Sequence, residues 1–184
     1  MDSFAELILQ EKDFVKKLEL MYYLKKKENI FFDSSVILKA EITRMFLDDV
    51  ELDIDKNLVI TAMLLCGCKK KKDATNKKQI ETYATDGAKY LETIGFSKRF
   101  CKICQEVNRY SRSFPREKES DILELIDVFG GLVLDRPERK GYAIDEALLL
   151  AEDRILKGYN NKYIEKFKEF IQIEEGIKLW FLIL

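Results

Sequence analysis

Residues 121–134 read DILELIDVFGGLVL, and this stretch decides the fold class. It is apolar apart from three acidic residues and has no strand-like alternation, so it predicts an apolar helix. Asp127 lies near the middle of this helix, where a carboxylate needs a hydrogen-bonding partner or has a raised pKa. We therefore expect Asp127 to have a structural hydrogen bond or an ion pair.

The segments on both sides of this stretch also follow a helical pattern. Glycine and proline are scarce, with 8 and 2 residues in 184, and Gly95 is the expected terminator of one helix. No internal repeat and no sustained strand pattern is found. The chain is therefore predicted to be an all-α helical bundle with an extra N-terminal helix. The predicted helices cover 3–27, a segment from the Asp33-Ser34-Ser35 cap through Phe46, 58–66, 80–94, 97–110, 121–134, 145–158 and 161–173. The predicted division is an N-terminal helical extension (1–30), a helical domain (31–175) and an apolar C-terminal tail (176–184).

Composition and charge exclude several classes of function. The net charge is −1, so the whole molecule has no general attraction for DNA or RNA. The N-terminal sequence has acidic residues where a secretory signal needs basic ones, and the longest apolar run, Leu179 to Leu184, is too short to span a membrane. These observations predict a cytoplasmic protein with reduced thiols.

Four segments in a fixed order resemble one known family. Residues 126–140 read IDVFGGLVLDRPERK, and they follow 60–70 (ITAMLLCGCKK), 83–91 (YATDGAKYL) and the helical segment 103–109. Together they resemble HD-GYP domains, bacterial metal-dependent phosphodiesterases that hydrolyse cyclic di-GMP, over about residues 36 to 172. The resemblance implies a single HD-domain-like helical bundle and a signalling role.

The chain contains no histidine, although this family binds its metal ions through histidine and aspartate. The family's histidine-aspartate doublet falls on Cys66-Gly67, another histidine falls on Tyr83, and a histidine pair falls near Val107-Asn108. Only the aspartate that matches Asp127 is retained, as a vestigial metal position. One carboxylate cannot hold two metal ions that activate water. The resemblance therefore predicts a pseudoenzyme without a cofactor.

The four cysteines leave an alternative open. Cys66, Cys68, Cys101 and Cys104 form two close pairs that, with Asp127, would make a rebuilt metal site in a divergent phosphohydrolase. However, Cys101 and Cys104 lie inside a predicted helix, and cysteine packs readily as a small apolar residue. Buried thiols are therefore the preferred interpretation.

Basic residues suggest how a pocket without metal would still be used. Lys70, Arg136 and Arg139 are the candidate phosphate-binding residues, because the resemblance puts them at the mouth of the family's active site and guanidinium groups bind phosphate well. The alternatives are solvated charge and, for the arginines, a loop-shaping pair with Asp135. The sequence thus predicts a regulatory protein that binds cyclic di-GMP, another phosphate ligand or a protein partner. A homodimer formed through the apolar tail is a further alternative.

Overall fold

The structure, a computed structural model, describes residues 3–30, 35–70, 77–111, 113–136, 139–155 and 161–174, and these residues are all-α, as predicted. Within them the only pairing of strand type is an isolated bridge between Arg136 and Arg139. A short 3-10 turn covers Arg109–Ser111. The helices are α1 (Phe4–Gln10), α2 (Phe14–Glu28), α3 (Ser35–Asp49), α4 (Lys56–Leu65), α5 (Lys77–Thr93), α6 (Lys98–Glu106), α7 (Lys118–Val133), α8 (Ile144–Arg154) and α9 (Ile164–Glu174).

The single N-terminal helix expected over residues 3–27 is wrong, because the chain forms two helices there. Asp13 adopts an extended backbone and its side chain accepts a hydrogen bond from the backbone N–H of Lys16 at 3.0 Å. This contact caps α2 and separates it from α1. Gly95, with φ of 98°, ends α5 as expected, since this left-handed conformation favours glycine.

Helix α7 lies at the centre of the core and packs against α3, α4, α6 and α8. Ile122, Ile126 and Phe129 on this helix are fully buried. The Phe167 ring stands edge-on to Phe129 and to Phe46 of α3, with centroid distances of 5.2 and 5.3 Å. Each side chain of this size stabilises the fold by about 1.5–3 kcal/mol when it is buried. The apolar pattern of 121–134 thus becomes the element around which the site is built.

The N-terminal helices pack on the rest of the core, as expected. Ile8 of α1 is fully buried, and both α1 and α2 contact α4. Lys17 of α2 is also buried; its ammonium group donates to Oγ1 of Thr61 on α4 at 2.6 Å and to the carbonyl of Ile8. Burial lowers the pKa of Lys17 to about 8.

Some predictions concern segments that the structure does not cover. The apolar tail 176–184 lies outside the described residues, so homodimerisation through it stays a prediction. The same applies to the domain boundaries at residues 31 and 176. No helix among the described residues is long and apolar enough to cross a membrane.

Candidate functional site

A cleft of about 310 Å³ lies beside the C-terminal half of α7. Tyr83 of α5 and Asp127 of α7 line it, together with Val107 and Asn108 from the turn after α6. These are positions that the resemblance matches to metal ligands, and the fold brings them to one place although they are far apart in sequence. The basic side chains on the wall are Arg136, Arg139 and Arg154.

Asp127 has the ion-pair partners that its place in an apolar helix requires. Nζ of Lys39 on α3 lies 2.8 Å from Oδ1 of Asp127, and Nζ of Lys70 lies 3.3 Å from the same oxygen. Burial alone would raise the pKa of Asp127, but the two ammonium groups outweigh it and hold the pKa well below its usual range. Asp127 is therefore charged at neutral pH and is held by two cations.

Lys39 is a part of this site that the sequence reasoning missed. It stands between buried Leu38 and Ala40 in α3, and its own side chain is only 4% exposed. A Cβ at Gly130 would lie 2.6 Å from Cγ of Lys39, so glycine at 130 leaves room for the lysine stem to reach Asp127. A lone lysine within an apolar helix was the signal that could have indicated a buried ion pair.

The residues do not fit the metal centre that the family resemblance implies. Lys39 and Lys70 already hold the one retained carboxylate, and Cys66, Tyr83 and Val107 offer no imidazole at the matched positions. In the part of the chain that the structure describes, no group of three or more His, Cys, Asp or Glu residues could hold a metal ion. The set of four cysteines with Asp127 is thus not assembled into a ligand sphere.

The cysteines are free and buried, as their interpretation as small apolar side chains predicts. Burial raises the pKa of Cys66 and of Cys68 to about 12, and it also raises the pKa of Cys101 and Cys104. These thiols are protonated at neutral pH, whereas metal binding and nucleophilic chemistry need the thiolate.

Two of the three predicted phosphate-binding residues have structural partners. Lys70 pairs with Asp127, and its ammonium group lies 5.0 Å from the centre of the Tyr83 ring. Arg139 donates through Nη1 to the carbonyls of Leu132 at 3.0 Å and Lys140 at 2.8 Å, and through Nη2 to that of Gly131 at 2.6 Å. The alternative of a loop-shaping arginine therefore describes Arg139 well.

The partners of Arg139 differ from those expected. The alternative of a pair with Asp135 does not describe Arg139, because Asp135 accepts a hydrogen bond from the backbone N–H of Gly141 at 2.7 Å and Arg139 donates to carbonyl groups. Only Arg136, of the three predicted residues, is exposed on the cleft wall without a side-chain hydrogen bond or ion pair to a described residue.

Two basic residues, in the loop before α7 and at the first position of α7, have carboxylate partners. The side chain of Arg116 is buried and donates to Oδ1 of Asp121 at 3.0 Å and to Oε2 of Glu124 at 2.7 Å. Lys118 pairs with Asp53 at 3.0 Å. The sequence does not show whether a lysine or arginine in a loop contacts solvent or a buried carboxylate. Arg112 and the side chain of Arg109, between α6 and α7, lie outside the described part of the molecule.

Arg154 is the second functional candidate that the sequence did not indicate. It ends α8 and lines the cleft with Arg136, although 18 positions separate the two. Nothing in the local pattern distinguishes it from other charged residues at a helix end. Only the packing of α8 on α7 brings it to this wall.

Comparison of the chain with protein-family models, with curated proteins and with solved structures finds no match. The assignment to HD-GYP domains accordingly stays a prediction from the quoted motifs.

Proposed function

We propose that this protein is a catalytically inactive, HD-GYP-like regulatory protein of the cytoplasm, and that it binds an anionic phosphate ligand in the cleft beside α7. The observation that carries the proposal is the exposed side chain of Arg136 on the wall of a cleft that Arg154 also lines and whose carboxylates, Asp127 and Glu124, are ion-paired. Guanidinium groups suit phosphate oxygens, and a cleft focuses their field on an incoming anion.

The acidic residues of the cleft do not oppose such a ligand strongly. Asp127 is held by two lysine ammonium groups, and Glu124 accepts from Nη2 of Arg116 at 2.7 Å. Asp127 therefore has two cations within ion-pair distance, and Glu124 shares the guanidinium group of Arg116 with Asp121. Arg136 on the cleft wall, exposed and without an ion pair to a described residue, is the side chain that attracts the ligand.

The size of the cleft limits what it holds. A volume of about 310 Å³ is at the lower end for small-molecule sites. Cyclic di-GMP, which the resemblance suggests, would place one phosphate-bearing part against the arginines and leave the remainder outside. Tyr110 and Ile80, which also line the cleft and are exposed, offer apolar surface for the organic portion of such a ligand.

Inactivity is proposed from the chemistry of the side chains. Hydrolysis of a phosphodiester by the family's route needs several ligands that bind and activate metal-bound water. Here the matched positions carry thiol, phenol, amide and aliphatic groups, and the one carboxylate is occupied by lysines. We expect no turnover of cyclic di-GMP.

Calorimetric titration at low salt tests the proposal, with cyclic di-GMP and inorganic phosphate as probes. We expect binding of at least one probe, and Arg136→Ala should weaken it about tenfold because one charge-assisted contact is lost. Lys166→Ala, which removes an exposed charge on α9 away from the cleft, is the control and should leave the affinity unchanged. Absence of binding, or equal effects of the two variants, contradicts the proposal; so does turnover of cyclic di-GMP that Asp127→Ala abolishes.

A further inference from the structure

We infer that Gly131 and Arg139 are positioning residues that hold the guanidinium group of Arg136 at the cleft, and that Arg139 itself does not contact the ligand. The inference rests on the proposed function, because Arg136 is the residue proposed there to bind phosphate. It depends on the geometry of the turn between α7 and α8, which is independent of any ligand.

Gly131 provides the space in which the Arg136 guanidinium lies. A Cβ at Gly131 would stand 2.8 Å from Nη2 of Arg136, which is closer than van der Waals contact allows. Any larger residue at 131 must therefore displace this guanidinium. Because the atom affected is the end of a flexible side chain, the displacement costs little stability and changes mainly where the charge lies.

Arg139 fixes the backbone that carries Arg136. Its two terminal nitrogens bind the carbonyls of Gly131 and Leu132, which are at the C-terminal end of α7 and have no helical N–H partner there. The backbone N–H and carbonyl groups of Arg136 and Arg139 also pair with each other, at 2.8 and 3.1 Å. The turn is thus joined to the helix end by one side chain and to itself by a two-bond bridge.

Two more contacts close the same turn. The backbone N–H of Tyr142 donates to the carbonyl of Leu132 at 3.0 Å, and the Tyr142 ring lies 4.6 Å from the Arg139 guanidinium. A Cβ at Gly141 would overlap the carbonyl oxygen of Val133, so the returning chain passes directly against the helix end. These contacts fix the backbone of Arg136. The absence of a side chain at residue 131 leaves the space in which its guanidinium group lies.

The decisive variant is Gly131→Ala. We expect it to weaken binding of inorganic phosphate or cyclic di-GMP about tenfold, like Arg136→Ala, because it displaces the same guanidinium. In the Arg136→Ala background Gly131→Ala should have no further effect, since the group on which it acts is gone. The melting temperature of Gly131→Ala should be no lower than that of the wild type, because alanine has a higher helix propensity than glycine.

Gly87→Ala is the matched control. It adds the same methyl group within α5, where the nearest atoms, Sγ of Cys68 and the carbonyl oxygen of Cys66, would be at ordinary contact distances of 3.4 and 3.5 Å. It should leave ligand affinity unchanged. Unchanged affinity in Gly131→Ala, or a further loss when it is added to Arg136→Ala, overturns the inference.

A second measurement separates this inference from the proposed function. The rate at which phenylglyoxal modifies Arg136 can be followed by peptide mass spectrometry in the ligand-free protein. Gly131→Ala should raise that rate, because the guanidinium moves away from the helix end, and Gly87→Ala should not. If the wild type binds neither probe, the proposed function fails, and an unchanged modification rate then overturns the positioning inference as well.

Discussion

The two ends of helix α7 use charged residues in opposite ways. At the N-terminal end, Arg116 is buried against Asp121 and Glu124, and each of the three side chains is at most 2% exposed. At the C-terminal end, Asp127 is 17% exposed, and Arg136 stands on the wall of a cleft. The comparison teaches that the number of basic residues near a helix does not predict ligand binding. What matters is whether the fold has already supplied their partners.

The largest expected effect on stability is at the N-terminal end of α7. Arg116→Met leaves Asp121 and Glu124 buried without their cation, which should lower the free energy of unfolding by about 3–5 kcal/mol. Urea denaturation measures this change. Arg44→Met is the matched control, because Arg44 also pairs with two carboxylates, Glu41 and Asp48, but lies at the surface; its cost should stay below about 1 kcal/mol. Equal costs for the two variants would contradict the description of the N-terminal end as a buried network.

A smaller effect is expected at Asp127. Asp127→Asn leaves Lys39 buried beside a neutral amide, but the site is partly exposed, so the loss should be about 2–3 kcal/mol. The pKa of Asp127 is lower in the folded than in the unfolded chain, so the unfolded chain takes up the proton first as the pH falls. The contribution is therefore present above about pH 4 and is lost below it.

The pH dependence gives this prediction its sharpest form. The difference in unfolding free energy between the wild type and Asp127→Asn should be constant near neutral pH and should shrink as the pH falls below about 4. Asp48→Asn, at an exposed position of α3, is the control. A difference that grew on acidification would mean that Asp127 is not stabilised as a carboxylate.

The fold could be predicted well from the sequence, because apolar period and capping residues act locally. The apolar run 121–134 corresponds to α7 at Lys118–Val133, and Gly95 ends α5 as expected. The break between α1 and α2 was missed because a helical period continues across it, although the Asp13 cap interrupts the backbone. One capping side chain can thus override the apolar pattern.

The site could be predicted only in part, because partners come from distant segments. Asp127 and Arg136 were identified from the motif at 126–140, and both line the cleft. Lys39 and Arg154 reach the site only through the packing of α3 and α8 on α7. Arg139, a predicted phosphate-binding residue, donates to the carbonyl groups of the helix end, and no sequence pattern shows which acceptor an arginine will find.

An intermediate effect is expected for Arg139→Lys. Lysine keeps the positive charge but cannot reach the carbonyls of Gly131, Leu132 and Lys140 together, so the free energy of unfolding should fall by about 1–2 kcal/mol. Chemical denaturation measures it, with Lys166→Ala as a surface control. If Arg139→Lys kept its stability but lost phosphate binding, Arg139 would be a direct ligand contact. Arg136 and Arg139 would then both bind the ligand.

Divalent metal ions should have no effect on the melting temperature of the protein. Lys39 and Lys70 hold Oδ1 of Asp127, so a cation that approaches this carboxylate must first displace an ammonium group. Burial raises the pKa of Cys66 and Cys68 to about 12, so binding through their sulfurs near neutral pH would also require deprotonation against that shift. Metal analysis of reduced protein should therefore find no stoichiometric transition metal, and manganese or zinc should not raise the melting temperature. A stoichiometric metal that is lost in Cys66→Ser would instead support the alternative of a metal site built from the cysteines and Asp127. It would also support a catalytic function at the C-terminal end of α7.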